Sequence, residues 1–193
     1  MKYDIILAGV GGQGVLSVSA LIASSAMEEG LHVKQSEVHG MSQRGGAVQA
    51  NLRLSDRPIA SDLIPLGSAS MILGMEPLES LRYLPFLDPA GTIVTASDPL
   101  VNIGDYPPLE GLLASIRTLP HAALIDADRL AREAGSARAT NMVMVGAASS
   151  HLPVQVATIE HFIESLFARK GGNVVATNLK AFRAGREAAA AWA

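Results

Sequence analysis

A glycine-rich turn follows the first apolar segment of the chain and constrains its fold more than any other feature. Residues 9–14 read Gly-Val-Gly-Gly-Gln-Gly, directly after the largely apolar run at residues 3–8. A buried strand that enters such a turn and continues into a helix from Val15 is typical of an α/β domain. Glycines let the backbone approach a neighbour closely, and the N–H groups of the helix start then point outward. The sequence therefore predicts an α/β domain with a candidate anion site.

The spacing of Gly9, Gly11 and Gly14 matches the dinucleotide-binding fingerprint G-x-G-x-x-G. Two interpretations stay open, because this motif is weak on its own. In the first, the turn has a function and either cradles a phosphate or packs against a partner's cofactor. In the second, the glycines only permit a tight connection between strand and helix. A nicotinamide site also needs an acidic residue roughly 20 positions later, after the second strand. Glu37 is the nearest candidate for that role.

The composition indicates one domain with an unusually apolar surface. The chain has 193 residues, of which 49% are apolar and only 17% are charged, whereas about 25% is usual for charged residues. We read residues 1–193 as a single domain. The low charge suggests that another subunit buries part of the surface, and a high alanine content is the alternative explanation.

Charge and cysteine content exclude several classes of function. The net charge of −3 argues against a general nucleic-acid binder. The chain has no cysteine, which excludes disulfides, thiolate catalysis and cysteine-ligated iron–sulfur clusters within it. No apolar run approaches the roughly 18 residues of a membrane span. With no signal-like segment at the start of the sequence, we expect a cytoplasmic location without membrane contact.

Strand and helix patterns alternate along the chain. The predicted strands are 2–8, 31–36, 47–54 (half-exposed, by its alternation), 70–74, 91–96 and 122–125. The predicted helices are 14–29, 76–84, 109–118, 128–135, 141–150, 154–169 and 178–192. This order indicates a Rossmann-like, doubly wound and mostly parallel sheet, with helices on both faces and further helices at the C-terminal end.

Local signals predict helix ends and buried faces. Gly30 is expected to end the first helix, and Asp128 and Asn141 are expected to cap the starts of two later helices. Two sets of side chains are expected in the core: one face of the first helix (Leu16, Ala20, Ala23 and Met27) and four methionines (Met71, Met75, Met142 and Met144).

A second glycine-rich segment, residues 36–46, reads Ser-Glu-Val-His-Gly-Met-Ser-Gln-Arg-Gly-Gly. It follows the predicted second strand, and ligands of parallel sheets bind beyond the carboxyl ends of strands. We therefore expect it to neighbour the first glycine turn. Arg44 suits a phosphate or carboxylate, or else an ion pair across a subunit boundary, and Ser42 and Gln43 are hydrogen-bond donors. His39 is either a general base or, more often in such loops, a residue with local hydrogen bonds.

Other catalytic patterns are missing from the sequence. It contains neither the G-x-x-x-x-G-K-[ST] phosphate loop nor the G-x-S-x-G nucleophile elbow. Its histidines lack metal-ligand spacing, so no metal site is expected.

The two glycine-rich segments together resemble the gamma-type domain of the 2-oxoacid:ferredoxin oxidoreductases. The form S-E-V-H-G-M-S-Q-R-G-G is similar to that of the small subunits in the indolepyruvate branch. The segment at residues 76–85, E-P-L-E-S-L-R-Y-L-P, also looks like part of those subunits. Asp126-Ala127, Asn141 with Gly146, and Asn178-Leu179 with Ala181-Phe182 fall where the family places them, so the resemblance spans nearly the whole chain.

The resemblance implies a subunit rather than a complete enzyme. The indolepyruvate branch implies a thiamine-diphosphate enzyme that decarboxylates an arylpyruvate oxidatively, transfers the acyl group to coenzyme A and passes electrons to ferredoxin. Thiamine and iron–sulfur sites belong to the large partner (alpha) subunit, and this sequence lacks the thiamine motif. The chain alone is then inactive, with no cofactor, metal or catalytic residue of its own. The implied active-site-facing or coenzyme-A-facing residues are Gly9, Gly11, Gly12, Gln13, Gly14, Ser42, Gln43, Arg44, Gly45 and Gly46.

Two alternatives have a different function. A free-standing NAD(P)-dependent dehydrogenase would use the glycine spacing and Glu37. Gln13 within the glycine run, and the lack of a convincing hydride-transfer acid or base, count against it. A flavin- or nucleotide-binding regulatory protein on the same fold is the other alternative.

Overall fold

A single mixed sheet organises the protein. The computed structural model describes residues 1–39 and 45–192. Its strands, in chain order, are β1 (Lys2–Val10), β2 (His32–His39), β3 (Ala47–Ser55), β4 (Ala69–Gly74), β5 (Leu87–Ala96) and β6 (Ala122–Ile125). They form a six-stranded sheet in the order β2-β3-β1-β4-β5-β6. Strand β3 is antiparallel to both of its neighbours, β1 and β2, whereas β1, β4, β5 and β6 run parallel to one another.

Helices cover both faces of the sheet, which confirms the predicted Rossmann-like α/β fold. They are α1 (Val15–Glu28), α2 (Pro77–Arg82), α3 (Leu109–Arg117), α4 (Ala127–Ala134), α5 (Thr140–Ala148), α6 (Val156–Phe167) and α7 (Gly172–Ala190). The larger core lies between the sheet and α1, α4, α5, α6 and α7. A smaller core, around Ile6, Ile72 and Ile93, faces the side of α2 and α3. Within the described residues, no helix is both long and apolar enough to cross a bilayer.

The last helix begins earlier than the sequence pattern predicts. Helix α7 starts at Gly172 rather than at Asn178, which lies in its interior. Gly172 and Asn173 are poor helix formers, so propensity placed the start too late. The N–H groups of Val174 and Val175 donate to the Gly171 carbonyl oxygen, which extends the helix to this earlier start.

The predicted buried face of α1 is wrong for three of its four positions. Ala23 is buried, but Leu16, Ala20 and Met27 are exposed, and Met27 keeps 60% of its surface accessible. The buried side is formed instead by residues such as Val15, Val18 and Ile22. Nearly all of α1 is apolar or small, so helical spacing fits several faces equally well, and the sheet selects one.

Helix ends confirm one predicted cap and correct two. Gly30 has a positive φ of 78° and donates to the Met27 carbonyl oxygen, as a glycine that ends a helix does. Helix α4 is capped by Asp126, whose carboxylate accepts from the Arg129 N–H, and Asp128 lies inside the helix. Asn141 also lies inside its helix, because α5 begins at Thr140.

Strand β3 is more buried than its alternating pattern predicts. Its position between β1 and β2 leaves Asn51 only 3% exposed. Arg53 forms a two-point ion pair with the fully buried Asp4, with Nε–Oδ1 and Nη2–Oδ2 distances of 2.9 and 3.1 Å. Arg53 also donates to the carbonyl oxygens of Ser61 and Leu63. The connection after β3 thereby covers the polar face of this strand.

Helices α5 and α7 cross at two glycines. A Cβ at Gly146 would lie 1.8 Å from the Phe182 carbonyl oxygen, and one at Gly185 would lie 1.9 Å from that of Val143. Only glycine allows the two backbones to approach this closely.

Candidate functional site

The glycine turn joins β1 to α1 at the carboxyl edge of the sheet. Gly12 and Gly14 have φ values of 107° and 79°, a conformation that side chains with a Cβ rarely adopt. Gly9 is extended, but a Cβ there would lie 2.9 Å from Val15 Cγ2 and 3.0 Å from Met75 Cβ. The glycines thus have distinct roles: Gly12 and Gly14 shape the turn, and Gly9 lets β1 pack against its neighbours.

The Gln13 side chain fixes the shape of this turn. Its Oε1 accepts from the Val10 N–H at 2.8 Å, and its Nε2 donates to the Met75 carbonyl oxygen at 3.0 Å. The Gln13 backbone N–H also donates to the Val10 carbonyl oxygen at 3.0 Å. Gln13 therefore connects the glycine turn to the carboxyl end of β4, a role that the sequence motif alone does not reveal.

The second glycine-rich segment lies beside the first, as its sequence predicts. The Gly11 N–H donates to the Gly46 carbonyl oxygen at 2.8 Å, and the Gly45 N–H donates to the Gly11 carbonyl oxygen at 3.3 Å. Asn102 Nδ2, in the connection after β5, donates to the Gly45 carbonyl oxygen at 2.7 Å. The predicted residues Ser42, Gln43 and Arg44 lie outside the described residues.

The start of α1 fits the candidate anion site. Gly14 precedes α1 in the left-handed conformation. Within the described chain, no side chain caps this helix, and its first turn has no acidic residue. Backbone N–H groups at such a helix start are available to an anion or to an acceptor on a partner.

A crevice of about 470 Å³ runs from Gln13 along the carboxyl ends of the parallel strands. Asp98 lies in it and accepts, through Oδ2, from the backbone N–H groups of Ala127 and Asp128 at 2.9 and 3.1 Å. Burial raises the pKa of Asp98, and these two hydrogen bonds oppose the rise. Because this carboxylate already occupies the N–H groups at the start of α4, that helix offers no second anion site.

Two buried carboxyl groups at the start of α2 were not identified as site candidates from the sequence. Glu76 is 1% exposed, its Oε2 accepts from the Glu79 N–H at 2.8 Å, and its Oε1 accepts from the Tyr106 hydroxyl. Glu79 is 2% exposed and pairs with Arg82 through Oε1, while its buried Oε2 has no partner in the described structure. Burial raises the pKa of Glu79. The available signal was the E-P-L-E segment itself, which contains both acids.

The glycine turn and Glu37, which a nicotinamide site would need side by side, are separated in space. Strand β3 lies between β1 and β2, so Glu37 on β2 is about 10 Å from β1 across two strand spacings. In a dinucleotide-binding fold these two strands are adjacent. His39 is the last residue of β2 rather than part of a loop.

No metal centre is evident in the part of the chain that the structure describes. Those residues contain no group of three or more His, Asp or Glu side chains arranged to hold a metal ion. The described site therefore consists of backbone amides, glycines and a few polar side chains.

A mixed sheet covered by helices on both faces, with a glycine turn and an uncapped helix at its carboxyl edge, defines a Rossmann-like α/β protein. The model of the family "Pyruvate ferredoxin/flavodoxin oxidoreductase" matches residues 4–188. The chain belongs to this family.

Curated relatives support the same assignment. The chain is 36% identical to indolepyruvate oxidoreductase subunit IorB of Archaeoglobus fulgidus, covering 96% of this chain and 94% of that protein. It is 34% identical to the subunit of that name from Methanothermobacter thermautotrophicus, over 98% of this chain and 99% of that one. The 2-oxoglutarate synthase subunit KorC of Methanothermobacter marburgensis is 29% identical, over 97% of this chain and 96% of that one.

Solved structures share the fold. The gamma subunit of a keto/oxoacid ferredoxin oxidoreductase from Geobacter sulfurreducens is 25% identical with a TM-score of 0.71, and the match covers 98% of this chain and 99% of that one. The 2-oxoglutarate:ferredoxin oxidoreductase of Magnetococcus marinus, solved with 2-oxoglutarate, coenzyme A and succinyl-CoA bound, is 24% identical with a TM-score of 0.80. That match covers 100% of this chain but only 32% of the larger protein.

Proposed function

We propose that this chain is the small subunit of an indolepyruvate oxidoreductase. The enzyme would decarboxylate an arylpyruvate oxidatively, transfer the acyl group to coenzyme A and pass electrons to ferredoxin. The observation that carries this proposal is the 33–36% identity to relatives named for indolepyruvate, over nearly the whole chain. The relatives named for 2-oxoglutarate are only 28–29% identical, so 2-oxoglutarate is the second candidate substrate.

The proposal places the cofactors in a large partner subunit, and the complex in the cytoplasm. This chain has no cysteine to hold an iron–sulfur cluster. In such a complex, thiamine diphosphate supplies carbanion stabilisation and the clusters accept the electrons. The residues of this chain would shape the surface beside that chemistry and exclude water from it.

The two glycine-rich segments are the surface that we assign to this role. Gly12 and Gly14 expose backbone without side-chain bulk, and Gln13 keeps the turn rigid through its bonds to Val10 and Met75. Rigid, pre-positioned N–H groups stabilise developing negative charge or an anionic group at low reorganisation cost. Ser42, Gln43 and Arg44, next to Gly45 and Gly46, are proposed to extend this surface toward the partner's active site and coenzyme A.

A test of the proposed function is anaerobic reconstitution with the large subunit. The complex should reduce ferredoxin in a reaction that requires coenzyme A and is faster with indolepyruvate than with 2-oxoglutarate, while this chain alone should be inactive. A preference for 2-oxoglutarate would favour the second candidate. Tight NAD binding by the isolated chain, lost in Gly11→Val, would instead support the dehydrogenase alternative.

Arg44 provides a residue-level test of the proposed surface. We expect Arg44→Ala to leave the thermal unfolding of the subunit unchanged, and to lower turnover or weaken assembly of the complex. The matched control is Arg57→Ala, because Arg57 is exposed in the connection after β3, at the opposite edge of the sheet. If Arg44→Ala assembles and turns over normally, Arg44 does not belong to the site.

A further inference from the structure

A second cleft, distinct from the crevice at Asp98, adjoins the glycine turn. It has a volume of about 570 Å³ and lies between the first turn of α1, the segment that joins α4 to α5, and the junction of α6 with α7. Small-molecule sites commonly occupy clefts of about 300–1,000 Å³. Its size therefore suits a metabolite rather than a single ion.

Positive charge that has no acidic partner converges on this cleft. Arg138 and Lys170 line it, and none of the described lining residues is acidic. Lys170 Nζ lies 5.2 Å from the centre of the Phe167 ring, and neither cation forms an ion pair within the described residues. Six arginines of the described chain form ion pairs with carboxylates, whereas Arg57, Arg169 and Arg186 do not; the paired ones are Arg53, Arg82, Arg117, Arg129, Arg132 and Arg183. In a chain with a net charge of −3, two such cations in one cleft favour an anionic ligand.

Uncharged donors complete the polar side of the cleft. Ser136, Asn173 and Thr177 line it together with the cations. Asn173 is in the first turn of α7, which lacks both an acidic residue and a side-chain cap among the described residues. Its free backbone N–H groups therefore add to a donor set that the side chains already define.

Apolar side chains also line the cleft, next to the cations. Leu166 is 50% exposed and lines the cleft beside Phe167 and Met142. A ligand that fits this cleft carries an anionic group and an apolar portion that packs beside the cations.

Asn141 connects this cleft to the glycine turn. It lines the cleft, and its Nδ2 lies 2.6 Å from the position that a Cβ on Gly14 would occupy. Ser17, in the first turn of α1, lines the same end. A ligand seated between Arg138 and Lys170 can therefore extend toward the proposed active-site surface.

We propose that this cleft binds a phosphate-bearing organic molecule, with its phosphates on Arg138 and Lys170 and its apolar portion on Phe167 and Leu166. Two sources share this chemistry: a free nucleotide such as ADP, and coenzyme A. The coenzyme A source rests on the proposed function, whereas the nucleotide source is independent of it.

A purely structural role for the two cations makes a different prediction. Arg138 follows the end of α4, and Lys170 follows the end of α6. Positive charge near a helix C-terminus interacts favourably with the helix dipole and thereby stabilises the helix. If this were their only role, removing the charges would lower the melting temperature without changing the affinity for any anion.

The test is calorimetric titration of the full chain with ADP and with coenzyme A at constant ionic strength. The variant is the double substitution Arg138→Gln with Lys170→Gln. Its matched control is Arg169→Gln, which removes the neighbouring charge in the same 3₁₀ turn without touching the cleft. We expect saturable binding by the wild type, at least tenfold weaker binding by the double variant, and unchanged binding by the control.

The relative affinities identify the source of the ligand. Similar affinities for ADP and coenzyme A indicate a nucleotide site, and coenzyme A binding at least tenfold tighter than ADP indicates the cosubstrate. The proposal is overturned if neither ligand saturates below about 10 mM, a Kd equivalent to less than 3 kcal/mol. It is also overturned if Arg169→Gln weakens binding as much as the double variant, or if the double variant binds normally.

Binding to the full chain requires no turnover, which separates this test from that of the proposed function. An inactive reconstituted complex would contradict the proposed function and leave the binding result intact. Absence of saturable binding would remove the cleft site without affecting the assignment of the subunit.

Discussion

Gln13 donates through its side-chain Nε2 to the Met75 carbonyl oxygen at 3.0 Å, and this bond connects the glycine turn after β1 to the carboxyl end of β4. The Met75 N–H in turn donates to the Ala8 carbonyl oxygen at 2.8 Å. The turn is therefore fixed from two directions rather than by its glycines alone. Its rigidity depends on contacts between segments that are distant in sequence.

The first prediction concerns Gln13. Gln13→Ala removes the partners of the Val10 N–H and the Met75 carbonyl oxygen, so we expect the free energy of unfolding to fall by about 2 kcal/mol. Urea denaturation measures this change. Gln35→Ala on the exposed surface of β2 is the control and should change stability by less than about 0.5 kcal/mol. Equal effects of the two substitutions would show that Gln13 does not hold the turn.

The second prediction separates backbone strain from side-chain contact at Gly14. Gly14 and Gly30 have nearly equal φ values of 79° and 78°, but only Gly14 has Asn141 close to its Cβ position. Both alanine substitutions should cost about 1–2 kcal/mol through left-handed strain. Gly14→Ala should cost about 1 kcal/mol more because of overpacking.

A double-mutant cycle checks that interpretation. In an Asn141→Ala background, the additional cost of Gly14→Ala should largely disappear, because the neighbouring Nδ2 atom is gone. An unchanged cost in that background would assign the whole effect to strain.

The third prediction reverses the usual effect of replacing a helical glycine. Glycine to alanine in a helix normally stabilises by about 0.5–1 kcal/mol, and we expect that result at Gly111, where the described chain leaves open space around the Cβ position. At Gly185 the new methyl group would overlap the Val143 carbonyl oxygen. Gly185→Ala should therefore lower the free energy of unfolding by about 3 kcal/mol. Thermal and urea unfolding of both variants test the contrast in sign.

The fourth prediction concerns the ion pair beneath the connection after β3. Arg53→Met leaves the fully buried Asp4 carboxylate with only Lys2, whose Nζ lies 2.9 Å from Oδ2 and whose side chain is 55% exposed, so we expect a loss of about 2–3 kcal/mol. Arg117→Met breaks the exposed pair with Glu110 and should cost less than about 1 kcal/mol. Similar losses in the two variants would mean that burial does not determine the strength of the Asp4 pair.

The fifth prediction is a pH dependence that arises at Glu79. Burial raises its pKa above the ordinary value of 4.5, with the nearby Glu76 adding to the rise and Arg82 opposing it. The folded state therefore binds this proton more tightly than the unfolded state does. Protonation of Glu79 stabilises the fold fully below pH 4.5, and this stabilisation is lost as the pH rises through the folded-state pKa. Glu79→Gln cannot ionise, and wild type should therefore lose stability relative to it as the pH rises above 4.5.

Glu160 supplies a control of opposite sign. The hydrogen bond from Arg183 lowers the pKa of the Glu160 carboxyl below 4.5. The ionised Glu160 therefore stabilises the fold above pH 4.5, and this stabilisation is lost as the pH falls through the folded-state pKa. Relative to Glu160→Gln, wild type should lose stability as the solution becomes acidic. A Glu79→Gln curve that runs parallel to wild type at all pH values would contradict the predicted shift.

Much of the fold was predictable because its signals are local. Strand β6 occupies residues 122–125, as its pattern predicts, and the Gly30 cap is also confirmed. The four predicted core methionines are all buried. Each of these features depends on a few neighbouring residues, whose conformational preferences are already present in the sequence.

The predictions were wrong where the local sequence is compatible with several conformations or buried faces. Helix α1 is apolar on nearly every side, so its spacing did not identify the face that packs on the sheet. Asp126 and Asp128 are both plausible caps, and the geometry of the chain entering α4 selected Asp126. For Ser42, Gln43 and Arg44, the assignment to the site stays a prediction from the motif.

The sequence by itself determined the strand–turn–helix unit at residues 2–28 and the family to which the chain belongs, because both depend on motifs that are contiguous in the chain. Only the tertiary structure decided that β3 lies between β1 and β2, which removes Glu37 from the glycine turn. It also decided that Arg138 and Lys170 line one cleft. Strand order and cleft composition result from contacts between distant segments, and no local pattern specifies which of those segments meet.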